Sequence, residues 1–385
     1  MHLVIYTNIL TPYRKYFYDL LYKICEESGD QFHVLVMAET EPGRTWKYED
    51  LKGDYTILLD NKMISKGEIY VHINSNLVSM LKKLRPDVVV CAGSYLCPGV
   101  WKTARLKSKL NYKVIYWSES HLNEIEKSGS IKHWTREFLR NHVYKLFDGF
   151  WYAGKLSREF DEKYAIADAT YHFLPNLIEE TKYAVDASLE KRERLRQKYG
   201  LTADRTVFIC PARLIPCKGI LEFLNLMKEC PSKEKAVVMI AGSGKLKTMI
   251  EHNAVENGVD IRLLGQKTQD EMIELYIVSD IFLLPSLSDA NPLTCIEALW
   301  AKKPLLISAH CGNNPEVVHM GENGYVFSYS DKENAVRYIE LMINANVNWK
   351  KEAGDVSRKI AQDIYSSVKA TKRIVEEMKQ ICLKS

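Results

Sequence analysis

Short, continuous apolar runs alternating with helical stretches constrain this 385-residue chain more than any other feature. In the first half they read LVIYTN (3–8), FHVLVMA (32–38), DVVVCAG (87–93), KVIYWSE (113–119) and DGFWYAG (148–154). A run without polar alternation is a strand buried on both faces, and strand–helix alternation builds a parallel sheet covered by helices. Residues 11–29 predict the first helix, with Thr11 as cap and Pro12 in the first turn. Tyr13, Tyr16, Phe17, Leu20, Leu21 and Ile24 are expected to form its apolar stripe. A charged helix over 187–200 interrupts the pattern, which restarts with TVFIC (206–210), AVVMIAG (236–242), DIRLLG (260–265), DIFLLPS (280–286) and PLLIS (304–308). Two α/β domains of similar size, joined near 176–200, are the natural division, and one long helix is expected over about 350–384.

No stretch approaches the roughly 20 apolar residues of a membrane span, and MHLVIYTNIL is too short and uncharged for a signal peptide. Nine cysteines without C-x-x-C spacing point to reduced thiols and a cytoplasmic location. No Cys or His pairs stand at ligand spacing, so no metal site is expected.

Residues 281–308 carry the densest chemistry. Asn291 is expected to cap a helix with Pro292 in its first turn, leaving the N–H groups of Leu293 and Thr294 as an anion site. Glu297 lies three and four residues beyond these two, on the same helix face, and Asp289 lies in the preceding loop. One carboxylate can hold a ribose diol while the other reaches the far side of the ligand, the layout for a nucleotide-sugar. The bland alternative is a crossover with two solvated acids. VFICPARLIPCKG (207–219) ends a strand with Arg213 and Lys218 five apart before Gly219, where α/β sheets bind ligands. AVVMIAGSGKLKTMIE (236–251) adds Gly242 and Gly244 in a turn that permits close backbone approach. The absent G-x-G-x-x-G disfavours a nicotinamide dehydrogenase. With no D-x-D in the chain, Arg213 and Lys218 are expected to stabilise a leaving diphosphate in place of a metal.

In this order and spacing, Arg213/Lys218/Gly219, Gly242/Gly244 and Asp289/Glu297 resemble the pattern of the retaining glycosyltransferases of family 4 (glycosyl transferases group 1). PNLIEE (175–180) and CGNNPEVVHMGENGYVF (311–327) are similar to further segments of that family. Two departures are Asp289 in place of Glu and a missing Gly in the first N-terminal loop. The resemblance implies the GT-B fold, two Rossmann-like domains with mainly parallel sheets facing a central cleft. It implies an acceptor domain of 1–175, joined by 366–385 crossing back, and a donor domain of 176–365.

The resemblance further implies a metal-independent, retaining hexosyl transfer needing no cofactor beyond the nucleotide-diphosphate sugar itself. Glu297 would take the ribose, Asp289 the sugar hydroxyls, and the loop at Gly265-Gln266 the base. His121 is similar in position to the family's cleft histidine, with Glu119 and Ser120 beside it and Asn8 on the same acceptor side. Arg14 is a cation at the third position of a helix, against the macrodipole, which suggests an anionic partner. The acceptor is expected to be a glycan or a lipid-linked sugar in cell-surface polysaccharide or glycolipid synthesis. A sugar-nucleotide epimerase or hydrolase, or a non-catalytic sugar-nucleotide-binding subunit, is the alternative.

The net charge of +4 conceals an asymmetry, since residues 82–145 hold thirteen Lys/Arg against five acids. Trp101 with Lys102, Arg105, Lys107 and Lys109 suits peripheral contact with an anionic membrane, or else a solvated helix face. No nucleic-acid motif accompanies the charge.

Overall fold

Alternate residues of a strand point to opposite faces, so a run that is apolar throughout needs cover on both sides. The structure, a computed structural model, describes residues 1–44, 46–66, 69–122 and 131–383. The chain divides into a first unit of Met1–Ile178 with Ser367–Ser385 and a second of Glu179–Ser366. The first unit holds β1 (His2–Thr7), β2 (Gln31–Val36), β3 (Thr56–Leu58), β4 (Lys62–Lys66), β5 (Ile69–Ile73), β6 (Val88–Cys91), β7 (Lys113–Ser118), β8 (Gly149–Tyr152) and β9 (Thr170–Phe173). Seven of them form a parallel sheet in the order β3-β2-β1-β6-β7-β8-β9, while β4 and β5 make a separate antiparallel ribbon.

Leu3, Ile5, Val34, Val36, Val88 and Val90 face one side of this sheet and join one buried cluster. Their neighbours Val4, Tyr6, Leu35, Met37, Val89 and Cys91 face the other and join a second. Helix Ser367–Leu383 adds Ala370, Ile374, Val375 and Met378 to the first cluster, which ties the chain's end to the first unit.

In the second unit β10 (Thr206–Pro211), β11 (Ala236–Ala241), β12 (Ile261–Leu263), β13 (Ile281–Leu284), β14 (Leu305–Ser308) and β15 (Gly324–Phe327) form a parallel sheet. Its order is β12-β11-β10-β13-β14-β15, so the chain leaves β10 toward one side and later returns on the other. The reversal of strand order beside β10, like that beside β1, makes a crevice at the carboxyl ends of the strands.

Four departures from the sequence reading have local causes. The apolar-run pattern does not contain β3, β4, β5, β9 or β15, because edge and ribbon strands are short and partly exposed. The first helix, Pro12–Glu27, buries Phe17, Tyr18, Leu21, Ile24 and Cys25, whereas Tyr13, Tyr16 and Leu20 stay partly exposed. The single helix expected over 350–384 is two, Val347–Ile364 and Ser367–Leu383. The break falls at Tyr365-Ser366, where Tyr365 is buried and Ser367 Oγ donates to Ile178 O at 2.8 Å. Lastly, Trp101 is only partly exposed, packs at the edge of the second cluster and donates its Nε1–H to Tyr95 O.

Among the described residues no helix is long and apolar enough to cross a membrane. Ile374 is fully buried in the first cluster, and Ile374→Ala should cost about 2–5 kcal/mol. Chemical denaturation followed by tryptophan fluorescence checks this, because Trp117 and Trp151 lie in the same cluster.

Candidate functional site

Three loops meet at the carboxyl ends of β10, β11 and β13. After β10 the chain lies flat on the turn that follows β11: Ala212 N donates to Ala241 O at 3.1 Å and Leu214 N to Ser243 O at 3.0 Å. Gly242 and Gly244 make this contact possible. A Cβ on Gly242 would stand 2.0 Å from Ala212 O, and one on Gly244 would stand 2.4 Å from Leu214 O. The close approach the two glycines permit is therefore to the Arg213 loop. Gly242 N also donates to Gly265 O at 2.8 Å, whereas a Cβ added at Gly265 would point into open space.

The loop then turns through Pro216–Lys218 and reaches Gly219 at φ 64°. A Cβ there would meet Pro285 O at 2.0 Å, so only glycine fits both the dihedral and the space. Leu287 N donates to Cys217 O at 2.8 Å, and Tyr329 Oη donates to Pro285 O at 2.6 Å. These bonds lock the Lys218 loop to the loop after β13 and bring Lys218 Nζ onto Asp289 Oδ2 as an ion pair. The two side chains are only 16% and 19% exposed. Asp289 is itself clamped, since Asp289 N donates to His310 O at 3.2 Å and Gly312 N donates to Asp289 O at 2.8 Å. Arg213 is exposed, and among the described residues no carboxylate pairs with it.

Asn291 does not cap the following helix. Pro292 occupies the cap position with ψ 116°, and Leu293 and Thr294 are the first two helical residues. Proline has no side-chain acceptor to offer, and the N–H groups at these positions have no intrahelical partner. Asn291 is buried and accepts from Asn313 Nδ2 at 3.5 Å; the same Nδ2 reaches Pro292 O at 3.1 Å.

Glu297, one turn further, is held by two tyrosines. Tyr276 Oη donates to Oε2 at 2.9 Å and Tyr183 Oη donates to Oε1 at 3.2 Å. Burial raises its pKa above the ordinary glutamate range, and the two hydroxyls pull only partly back. Neither tyrosine was legible in the sequence, because one lies 114 and the other 21 residues from Glu297 with no spacing rule to connect them.

In the first unit, Arg14 finds its anionic partner within the fold. Its Nη2 lies 2.6 Å from Glu119 Oε1, and its guanidinium stacks 3.6 Å above the Trp117 ring. The cation that opposes the helix dipole is thus satisfied internally rather than left for an anionic ligand. Asn8 Nδ2 donates to Glu41 Oε1 at 2.8 Å, and His72 Nε2 sits 3.1 Å from the same oxygen. Burial pushes the Glu41 carboxyl up, but the hydrogen bonds from His72 and Asn8 outweigh it and leave it below the ordinary range. Ser120 N donates to Ser118 Oγ at 3.1 Å, and His121 is buried. Residues 124, 126 and 127, part of the basic segment's charge count, lie outside the described residues.

Comparison with known proteins gives this geometry a context. Residues 191–359 match the family model described as glycosyl transferases group 1. A GDP-mannose-dependent monoacylated alpha-(1-6)-phosphatidylinositol monomannoside mannosyltransferase of Corynebacterium glutamicum is 26% identical over 182 residues, 45% of this chain and 46% of its own length. An alpha-galactosylglucosyldiacylglycerol synthase of Streptococcus pneumoniae is 28% identical over 141 residues, 35% of this chain and 37% of its own. The matched region spans under half the length of these curated relatives. Solved structures resemble the chain over its whole length. Sucrose-phosphate synthase from Thermosynechococcus elongatus has TM-score 0.75 at 14% identity, covering 100% of both chains. HepE of Anabaena in complex with UDP has TM-score 0.74 at 15% identity, covering 99% of this chain and 100% of that one. These likenesses establish the fold, the two-sheet α/β architecture of GT-B glycosyltransferases.

Glu297 supplies a test of the site's electrostatics. Its folded pKa is raised, so the folded chain holds the proton more tightly than the unfolded one, and stability is lost as pH rises from about 4.3 through the raised value. Glu297→Gln removes that loss. Its melting temperature relative to wild type should therefore be higher at about pH 8 than at about pH 4.5, measured by differential scanning calorimetry. A pH-independent difference would contradict the raised carboxyl.

Proposed function

We propose that this chain is a glycosyltransferase that moves a sugar from a nucleotide-diphosphate donor to a glycan or lipid-linked acceptor, without a metal and with retention of configuration. One observation carries the reading: the loop that bears an exposed Arg213 brings Lys218 onto Asp289 at the carboxyl ends of β10 and β13, and Glu297 lies on the helix that follows. The match of residues 191–359 to glycosyl transferases group 1 supports it. So do the relatives named for sugar transfer and the UDP bound in HepE.

In the proposed reaction the bond from the sugar C1 to the diphosphate oxygen breaks, and an acceptor hydroxyl oxygen bonds C1 on the same face. The acceptor's proton passes to the departing phosphate oxygen, so no protein base is needed. Arg213 and Lys218 are assigned to stabilising the growing charge as fixed cations, with help from the helix end at Leu293 and Thr294. Glu297 is assigned to the ribose and Asp289 to the sugar hydroxyls, the latter keeping Lys218 oriented meanwhile. Gly242 and Gly244 act through Arg213, whose loop they seat. Acceptor binding is assigned to the first unit, around Asn8, Ser120 and His121, with Arg14 and Glu119 as a fixed pair.

Arg213→Ala and Lys218→Ala should each lower turnover about 10²–10³-fold, as loss of one preorganised charge donor does. Glu297→Ala should weaken UDP and GDP alike in calorimetry, whereas Asp289→Ala should spare the diphosphate and damage transfer. Equal diphosphate affinity in wild type and Glu297→Ala would refute the ribose assignment. Donor consumed rapidly without acceptor would favour a hydrolase.

For the acceptor we propose a membrane-borne molecule reached through the basic helix Pro98–Leu110. Lys102, Arg105 and Lys109 are exposed there, while Lys107 is held by Asp148 at 2.6 Å. Apolar anchorage moves from Trp101 to Trp134 and Phe138, which are 69% and 51% exposed. Charge reversal at Lys102, Arg105 and Lys109 should abolish salt-sensitive pelleting with anionic vesicles. Undiminished pelleting would remove this surface from consideration.

A further inference from the structure

At the amino-terminal edge of the second sheet, away from the crevice, the second unit holds a cavity of about 930 Å³. Arg192 and Arg196 reach it from helix Leu189–Lys198, Asp280 and Lys303 from the chain entering β13 and β14, and Lys350 from helix Val347–Ile364. Eight Lys/Arg side chains line it against five carboxylates. The carboxylates are largely committed. Asp280 takes Arg192 at 2.5 Å, Arg196 at 3.3 Å and the Val207 N–H at 2.8 Å. Asp186 and Asp355 both pair with Lys302, at 3.1 and 3.4 Å.

Four of the eight cations make no ion pair among the described residues; Lys235 and Lys351 are exposed to water, but Lys303 and Lys350 are not. Lys303, 7% exposed, donates to Ser279 O at 2.9 Å, and Lys350 donates to Thr206 Oγ1 at 2.8 Å. Both acceptors are neutral, and among the described residues no carboxylate lies within ion-pair distance of either ammonium. Each ammonium has three donors and uses one. Two buried or half-buried ammonium groups without a counter-ion are costly, and an anion with several acceptor oxygens relieves that cost. Ile273, Ile277 and Ile343 line the same cavity, as do Leu189 and Val347, which are 79% and 80% exposed.

We infer that this cavity binds the phosphomonoester end of a molecule with an apolar body, held by Lys303 and Lys350 and positioned by the Arg192–Arg196–Asp280 network. Titration behaviour agrees with the geometry. Burial, reinforced by Arg192 and Arg196 and opposed by Asp280, pushes the Lys303 ammonium down to about 7. Burial lowers Lys350 as well. A phosphate dianion reverses both shifts, so its binding takes up protons near neutral pH.

The phosphate group can come from a soluble ester or from a lipid headgroup, and one experiment separates the two. The full chain is labelled with an amine-acylating reagent at about pH 8 and mapped by mass spectrometry, with inorganic phosphate, phosphatidic acid vesicles or phosphatidylcholine vesicles present. Protection of Lys303 and Lys350 by at least about tenfold with inorganic phosphate, Lys245 on the surface remaining unprotected, assigns a soluble source. Protection by phosphatidic acid vesicles alone assigns a headgroup. Protection by neither overturns the inference. Lys303→Met combined with Lys350→Met supplies the second measurement, since apolar replacement of a buried cation is tolerated by folding. Calorimetric affinity for inorganic phosphate and pelleting with phosphatidic acid vesicles are both recorded. The probe that protected should bind at least about tenfold more weakly to the variant. Unchanged binding of that probe also overturns the inference. Both measurements are made on an Arg213→Ala/Lys218→Ala background, so that phosphate bound at the crevice does not enter either readout and failure here leaves the proposed transferase site untouched.

Discussion

Missing side chains at Gly219, Gly242 and Gly244 hold the second unit's crevice together. At each, a Cβ would stand 2.0–2.4 Å from a backbone carbonyl oxygen of a neighbouring loop. Three loops from three strands therefore touch backbone to backbone, without the play that intervening side chains would introduce. The Lys218–Asp289 pair and the position of Arg213 follow from this contact, because both cations ride on the loop being pressed. A site built this way is stiff where charge must be fixed in advance. Gly265 differs, since a Cβ added there would meet nothing within 4 Å.

Stiffness has an electrostatic counterpart. Glu297 is kept in surroundings that disfavour its ionised form, with two neutral tyrosine hydroxyls as its only support among the described residues. A fold selected for stability alone would place an apolar residue there, since carboxylates are rarely retained in such positions without a partner. A buried titratable group whose pKa is shifted by desolvation is the pattern of a functional site more often than of a structural one. The proposed ribose contact would add hydroxyl donors to the two tyrosines that already hold Glu297.

Much of the fold was legible because the physics was local. Fully buried strands must be apolar on both faces, so β1, β2, β6, β7, β10, β11, β13 and β14 appeared as continuous runs. Of the four edge strands only β12 appeared as an apolar run; β3, β9 and β15 carry no such demand and gave no such signal. Helix ends were misread where a general rule met a specific constraint. Pro292 takes the cap position because its ψ of 116° is extended, and Asn291, the better capping residue, faces Asn313 instead. In the site, the segments carrying Arg213, Lys218, Asp289 and Glu297 could be found from loop position and residue type. Which groups they would touch could not, since Lys218 meets Asp289 across 71 residues and Glu297 meets Tyr183 across 114. Arg14 shows the opposite error. A broken local rule did signal an anion, but the anion was Glu119, 105 residues away in the same unit.

Counting acceptor capacity separates the carboxylates of the second unit by role. An ionised carboxylate offers about four lone-pair sites. Asp280 fills three of them with two guanidinium groups and a backbone N–H, which pins helix Leu189–Lys198 to the sheet and leaves little for a ligand. Asp289 accepts one ammonium, and Glu297 accepts two weaker, neutral donors. The unused capacity therefore lies at the carboxyl ends of the strands, where hydroxyl groups of a sugar or ribose would be the matching donors. At the other end of the same sheet the surplus is of donors, on Lys303 and Lys350, and the matching partner there is an acceptor-rich anion. One sheet thus presents complementary deficits at its two edges, and each deficit specifies the chemistry of what would fill it.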